Sequence, residues 1–204
     1  MKILARGAEA VLYLDTLNGE QVLVKERAVK GYRVKELDEK LRKERTIAEA
    51  NLLDRARRAG VKVPRVLEKE KFKIYLEYLD GRKLKDVLNM MKGFQLSYTC
   101  KKIGETIQKL HAASIVHGDL TTSNMIVEGN EIYFIDFSLG RVSKKIEDQA
   151  VDLFLLYEAL KSTHFQVLEE AWANILEGYK NYEYSIEVLK RFYEIGKRRR
   201  YKGE

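Results

Sequence analysis

The densest run of reactive side chains is His117-Gly118-Asp119-Leu120-Thr121-Thr122-Ser123-Asn124, with Ile135-Asp136-Phe137 a short way downstream. An aspartate, an asparagine five residues on and a second aspartate at a strand end form a polar cluster in an otherwise apolar region. One carboxylate of such a group can orient a hydroxyl or a water. Two oxygen donors can hold Mg²⁺, which selects hard oxygen ligands and usually keeps company with substrate phosphates. Taken singly, the two stretches read equally well as turn formers and a strand-end cap. Their joint occurrence, in this order, favours chemistry.

Lys25 is the second signal. In Val22-Leu23-Val24-Lys25 the two-residue period puts Leu23 and Lys25 on one face of a strand. A lysine on an inner face needs an anion; Glu49, on the following helix, could supply it and a phosphate could share it. Alone, Lys25 reads as a surface lysine on an edge strand. Glu49, among Arg42, Arg45 and Arg55, reads as one more charge on a solvated helix face.

These side chains need a scaffold. Residues 1–79 alternate as strands at Ile3–Arg6, Val11–Leu17, Gln21–Arg27, Arg65–Glu70 and Lys73–Tyr78, with Asn18-Gly19 as a hairpin turn. A charged helix over Val34–Ala59, with Leu37, Leu41, Ile47 and Leu53 among its apolar positions, is stopped by Gly60. After Gly81 the period becomes helical, predicting helices at Leu84–Met91, Tyr98–Ser114, Glu147–Lys161, Phe165–Tyr179 and Ser185–Gly196. Small strands at Met125–Val127 and Glu131–Ile135 interrupt them. The expectation is an α+β chain of two lobes: 1–79 a five-stranded sheet with one helix, 80–196 helical, 197–204 a basic tail.

Composition bounds the class. The 204 residues are 45% hydrophobic and 34% charged, enough for one domain or two small lobes sharing a cleft. Cys100 is the only cysteine, which excludes disulfide frameworks and cysteine-rich zinc sites and suits a reducing cytoplasm. No apolar run is long enough for a signal peptide or a membrane span, so the expected location is cytoplasmic. Of the net charge of +7, +5 falls in residues 190–204. The run Lys197-Arg198-Arg199-Arg200-Tyr201-Lys202 reads either as a solvated terminus or as a phosphodiester-binding tail. The segment of Lys30, Tyr32 and Arg33 is open between lobe surface and partner contact.

Together, residues 1–160 resemble the protein-kinase superfamily. The resemblance implies ATP and Mg²⁺ as cofactors. It gives Lys25 the α/β-phosphates, Glu49 the role of its helix partner, Asp119 that of catalytic-loop aspartate, and Asn124 and Asp136 those of metal ligands. Gly7, Ala8, Glu9 and Ala10 would form the phosphate loop. Val11 and Leu23 would flank adenine, Glu77 and Tyr78 would be the hinge, and Asp152 would brace the catalytic loop. The departures are informative: one glycine in the phosphate loop, HGD for HRD, Asp136-Phe137-Ser138 for DFG, and about a dozen residues before the next helix. That leaves no room for a long activation loop, so phosphorylation switching is not expected.

Arg6-Gly7-Ala8-Glu9-Ala10, Val24-Lys25-Glu26-Arg27, Lys30-Gly31-Tyr32-Arg33, Arg45-Thr46 with Glu49-Ala50, HGDLTTSN and IDFSLG resemble one family over nearly the whole chain. It is the small atypical kinase of the KEOPS/EKC complex, the PRPK type, in its compact archaeal-like form. The resemblance implies a serine/threonine kinase and ATPase working in threonylcarbamoyladenosine modification of tRNA. The implied partners are the threonylcarbamoyltransferase subunit and other KEOPS subunits, with tRNA met through the complex and the basic tail. Competing readings are an aminoglycoside-phosphotransferase-like kinase, a RIO-type kinase, whose phosphate loop fits less well, and a non-catalytic scaffold binding tRNA or protein.

Overall fold

The computed structural model describes residues 2–200. Strands β1 (Lys2–Arg6), β2 (Ala10–Leu17) and β3 (Glu20–Arg27) precede helix α1 (Lys35–Arg58); β4 (Val66–Lys69) and β5 (Lys73–Glu77) follow it. They form one antiparallel sheet of order β1-β2-β3-β5-β4. Asn18 and Gly19 both take positive φ, 53° and 84°, as a two-residue turn matched to strand twist requires. That turn fixes the β2–β3 register, from Leu17 opposite Glu20 down to Leu12 opposite Lys25.

The register sorts the two faces. Tyr13, Val22 and Val24 pack with Val11 and Leu17 on the outer face. Leu12, Leu23, Lys25 and Arg27 take the inner one, towards α1. The buried face of α1 is partly polar, comprising Asp38, Thr46 and Glu49 with Ala50, Leu52, Leu53 and Ala56. Leu37 and Ile47 lie exposed instead, because burying Glu49 turns them towards solvent. Gly60, at φ 76°, ends the helix: its N–H reaches the Arg57 carbonyl and that of Val61 the Ala56 carbonyl, a Schellman closure.

Beyond residue 80 come β6 (Arg82–Lys83), α2 (Leu84–Val87) and a 3₁₀ turn at Leu88–Met90, so the helix expected over Leu84–Met91 is two short pieces. Helix α3 (Gly93–Ala112) starts five residues before the expected Tyr98. Its first turn presents Phe94 to solvent, which masks the apolar period there. Next are β7 (Ile115–Val116), β8 (Met125–Glu128), β9 (Glu131–Phe134) and β10 (Arg141–Val142). The helices α4 (Ile146–Thr163), α5 (Leu168–Tyr179) and α6 (Ser185–Arg200) complete the described chain. Helix α6 runs through Lys197–Arg200, so the first half of the expected tail is helical; 201–204 lie outside the described residues. Strands β6, β8 and β9 form one small sheet, and β10 pairs with β7 in another. A single apolar cluster runs from Leu53, Ile74 and Leu76 to Leu84, Ile103 and Phe134, so both lobes share one core.

Helices α3 and α5 approach through two glycines. A Cβ on Gly104 would lie 2.0 Å from the Ile175 carbonyl oxygen, and one on Gly178 2.1 Å from that of Lys101. Backbone cannot yield as a side chain does. Gly104→Ala should therefore destabilise the chain by about 3 kcal/mol, the upper end of overpacking costs. Gly31→Ala, at a site with nothing within 4 Å, should change stability by less than about 0.5 kcal/mol. Equal urea midpoints for the two variants would contradict the close crossing.

Candidate active site

Three elements converge beneath the inner face of the sheet. Strand β3 brings Lys25, α1 brings Glu49, and the segment after β9 brings Asp136 and Ser138. The Lys25 ammonium donates to Glu49 Oε1 at 2.6 Å, Asp136 Oδ1 at 2.7 Å and Ser138 Oγ at 2.8 Å, which uses all three of its N–H groups. Glu49 is buried, and its Oε2 accepts from the Arg27 guanidinium and, at 3.3 Å, from Ser138 Oγ. The solvated-face reading of Glu49 is thereby excluded. Arg27 was given no role by the sequence reading, although the two-residue period puts it on the face of Leu23 and Lys25. Removing Glu49, the carboxylate shared by Lys25 and Arg27, would leave two buried cations unmatched and cost roughly 3–5 kcal/mol.

Asp136 has a backbone φ of 62°, an uncommon conformation for a residue with a side chain. It turns the carboxylate back onto Lys25 and onto the Ser138 N–H. Burial pushes the Asp136 carboxyl up, but the Lys25 charge and the Lys25 and Ser138 hydrogen bonds outweigh it, holding the pKa down at about 2. Asp136 is thus a carboxylate at any ordinary pH.

The catalytic-loop stretch is shaped from below. Asp152, buried on α4, accepts the His117 N–H on Oδ2 at 2.6 Å and the Gly118 N–H on Oδ1 at 2.8 Å. Gly118 has φ 79°, and a Cβ there would lie 2.2 Å from the Leu139 carbonyl oxygen, so no other residue fits. Burial lowers the His117 pKa, leaving the ring neutral. Its Nε2 faces the Ile135 carbonyl at 3.1 Å and therefore carries the proton, so Nδ1 accepts the Asp119 N–H at 3.3 Å. Further along, His164 Nδ1 donates to Asn89 Oδ1 at 2.8 Å, and its Nε2 accepts the Thr122 hydroxyl at 2.9 Å. Asn124 Nδ2 donates to the Asp119 carbonyl at 2.9 Å and to Asp119 Oδ2 at 2.8 Å. That leaves Asn124 Oδ1 as the atom it can offer a cation, and Asn124 and Asp136 border the same cavity. Two hard oxygen donors suit Mg²⁺ completed by phosphate and water.

The cleft above these groups has two connected parts. The inner cavity, about 340 Å³, is mainly apolar, with Leu23, Leu76, Tyr78, Leu79, Ile126 and Ile135 on its walls. Glu49, Glu77 and Asn124 also border it. The outer part, about 310 Å³, lies between the Gly7–Ala10 loop, Asp119 and Ser138. Ala5, Leu12, Lys25 and Asp136 line both. A larger concavity of about 670 Å³, around Gln149 and Tyr182, holds none of these groups.

Every residue given an ATP, metal or catalytic role from the sequence borders the cleft except Val11; Asp152 lies beneath it, buried on α4. Val11 packs on the outer face with Tyr13, and Leu12 takes the inner position. The Asn18-Gly19 turn already contained this correction, because counting back from it pairs Leu12 with Lys25. The glycine-poor loop is held by side chains: Glu9 pairs with Arg45 of α1 and, at 3.7 Å, with Lys30, which also donates to the Ala8 carbonyl.

The RIO domain family matches residues 18–154. The match begins at the hairpin turn, downstream of the Gly7–Ala10 loop, whose sequence suits a RIO-type kinase less well. The chain is 43% identical to KEOPS complex subunit Bud32 of Pyrococcus abyssi, over 99% of this chain and 97% of that protein. It is 42% identical to the probable bifunctional tRNA threonylcarbamoyladenosine biosynthesis protein of Methanosarcina mazei; 98% of this chain spans 36% of that longer protein. Among solved structures, the Rio2 kinase–ADP/Mg²⁺–phosphoaspartate complex from Chaetomium thermophilum superposes with a TM-score of 0.67 at 13% identity. That match covers all of this chain and 72% of the other. A protein-kinase-like fold and a relative alike along the full length of both proteins lead to one assignment: the chain belongs to the RIO domain family of atypical kinases, alongside KEOPS complex subunit Bud32.

Proposed function

We propose that the chain is a Mg²⁺–ATP-dependent serine/threonine phosphotransferase and ATPase that serves threonylcarbamoyladenosine modification of tRNA within a KEOPS assembly. The observation that carries the chemistry is the Lys25–Glu49–Asp136 cluster at the junction of an apolar cavity and a loop-covered one. An apolar slot beside a hinge suits a purine, and a lysine beneath the loop suits its phosphates. Asp136 and Asn124 Oδ1 would hold Mg²⁺, which neutralises phosphate charge when bound.

The chain's own residues divide the work by position. Lys25 leaves Asp136 for a phosphate oxygen and keeps Glu49. Asp119, fixed by Asn124 at the mouth of the outer cavity, orients the attacking hydroxyl or water and accepts its proton. Asp152 keeps the loop's backbone in place, and the rest of the rate comes from positioning and electrostatics. The relative named as a KEOPS complex subunit supports placement among other KEOPS subunits; we infer that a threonylcarbamoyltransferase subunit is one of them and that the assembly works in the cytoplasm. No helix among the described residues is long and apolar enough to cross a membrane. The end of α6, with Lys197 and Arg198 exposed, is the start of a basic element suited to a tRNA backbone.

Two measurements test this reading. Asp119→Ala should lower ATP turnover by about 10²–10⁴-fold, the scale of general base catalysis, while a fluorescent ADP analogue still binds with Mg²⁺. Undiminished turnover, in the isolated chain or with its partner, would remove Asp119 from the reaction. The second concerns acid. The Asp136 pKa falls from 3.8 unfolded to about 2 folded. Its stabilising contribution is therefore complete above about 3.8 and disappears as pH drops towards 2. Urea midpoints of Asp136→Asn should decline less steeply than wild type between those values; parallel declines would show that Lys25 does not hold the carboxylate.

A further inference from the structure

The set around Lys25 contains one charge more than a lysine–glutamate pair requires. Arg27 is buried, with 3% of its surface exposed, and its guanidinium donates to Glu49 Oε2 while Lys25 holds Oε1. Its Nε has no hydrogen-bond partner among the described residues, a further cost of placing a guanidinium there. Two cations thus share one buried carboxylate. Lys25 has a second commitment, to Asp136 across the cleft, whereas Arg27 borders neither cavity and, among the described residues, pairs with Glu49 as its one acid.

We propose that Arg27 is the positioning residue that pins α1 to the sheet, so that Glu49 stays in place whether or not Lys25 is drawn to a phosphate. When Lys25 keeps Glu49 but shares its charge with a phosphate oxygen, Glu49 would otherwise be a less fully compensated buried carboxylate, which costs far more than an exposed one. Arg27 stays behind as its counter-ion. A second contact reinforces the arrangement. Arg45, one turn before Glu49 on α1, pairs with Glu9 of the cleft loop, so α1 is tied to the sheet at two places, β3 and the loop between β1 and β2. Helix α1 then cannot serve as an on–off element governed by the lysine–glutamate pair. Control must enter elsewhere, at the loop or at the acceptor side. The kinetic part of this inference rests on the phosphotransferase reading; the mechanical part does not.

Hydrogen exchange of the full chain, followed at α1 with α3 as internal reference, separates the possibilities. Lys25→Met should leave α1 exchange within about twofold of wild type. Arg27→Met should speed α1 exchange by at least about tenfold relative to α3, the scale of one lost hydrogen bond to a charged group. Arg27→Lys, which restores a cation at that position, should recover most of the protection and remains informative if Arg27→Met folds poorly. In turnover, Arg27→Met and Arg27→Lys should raise the KM for ATP, the former by about tenfold, with kcat less affected, because the cost falls on releasing Lys25. The proposal is overturned if Lys25→Met loosens α1 as much as Arg27→Met, or if Arg27→Met accelerates α1 and α3 equally. A wild-type chain that turns over no ATP would end the phosphotransferase reading, while the exchange comparison would still decide the role of Arg27.

Discussion

A buried carboxylate has to be matched, and most of this molecule's geometry follows from matching Glu49. Its two oxygens face β3 through Lys25 and Arg27, and the segment after β9 through Ser138. Those contacts decide how α1 rolls on the sheet. Glu49 and Thr46 point inward, and Leu37 and Ile47 are left outside. The apolar pattern of the helix alone would give a different rotation. Charge pairing wins here because leaving Glu49 unpaired inside the core costs several times what exposing one aliphatic side chain does.

A second buried carboxylate does for the lower lobe what Glu49 does for the upper. Asp152 accepts two successive backbone N–H groups and so sets the bend on which Asp119 depends. His111, also buried, stands 3.5 Å from it and is held in turn by the Tyr179 hydroxyl at 2.8 Å. The loop is therefore supported by α3, α4 and α5 at once. The close glycine crossing of α3 on α5 lies in the same layer, and the shared apolar core carries this rigidity up to the sheet.

Much of this was legible in the chain. The Asn18-Gly19 turn, the alternating runs of the first lobe and the Asp119–Asn124–Asp136 spacing each carry a local signal that survives folding. The strand order and the cleft follow from them and from the family resemblance. Other features were hidden for identifiable reasons. The inward role of Arg27 lay in the two-residue period, but an arginine there looks like solvated charge until Glu49 is known to be buried. Val11 sits one position from the inward-facing residue because the β2–β3 turn, not the limits of the strand, sets which face each side chain takes. The start of α3 was missed because Phe94 is exposed where the helical pattern calls for a polar residue. The strands β6, β7 and β10 are two residues each, too short to show a period, and exist only as tertiary pairings.

The pairing of β10 with β7 has a consequence for selectivity. Residues 137–145 are all that separates Asp136 from α4, and their middle is stitched to the strand leading into the catalytic loop. The segment that could have offered an acceptor a groove is occupied as part of the scaffold. A transferase built this way distinguishes acceptors by effective concentration rather than by intrinsic affinity. Whatever a bound neighbour holds at the mouth of the cleft, a side chain or a water, experiences a local molarity that free molecules do not reach. On the proposed reading, the identity of the acceptor would be encoded in the geometry of the assembly, and the same candidate residues would serve transfer in one arrangement and hydrolysis in another.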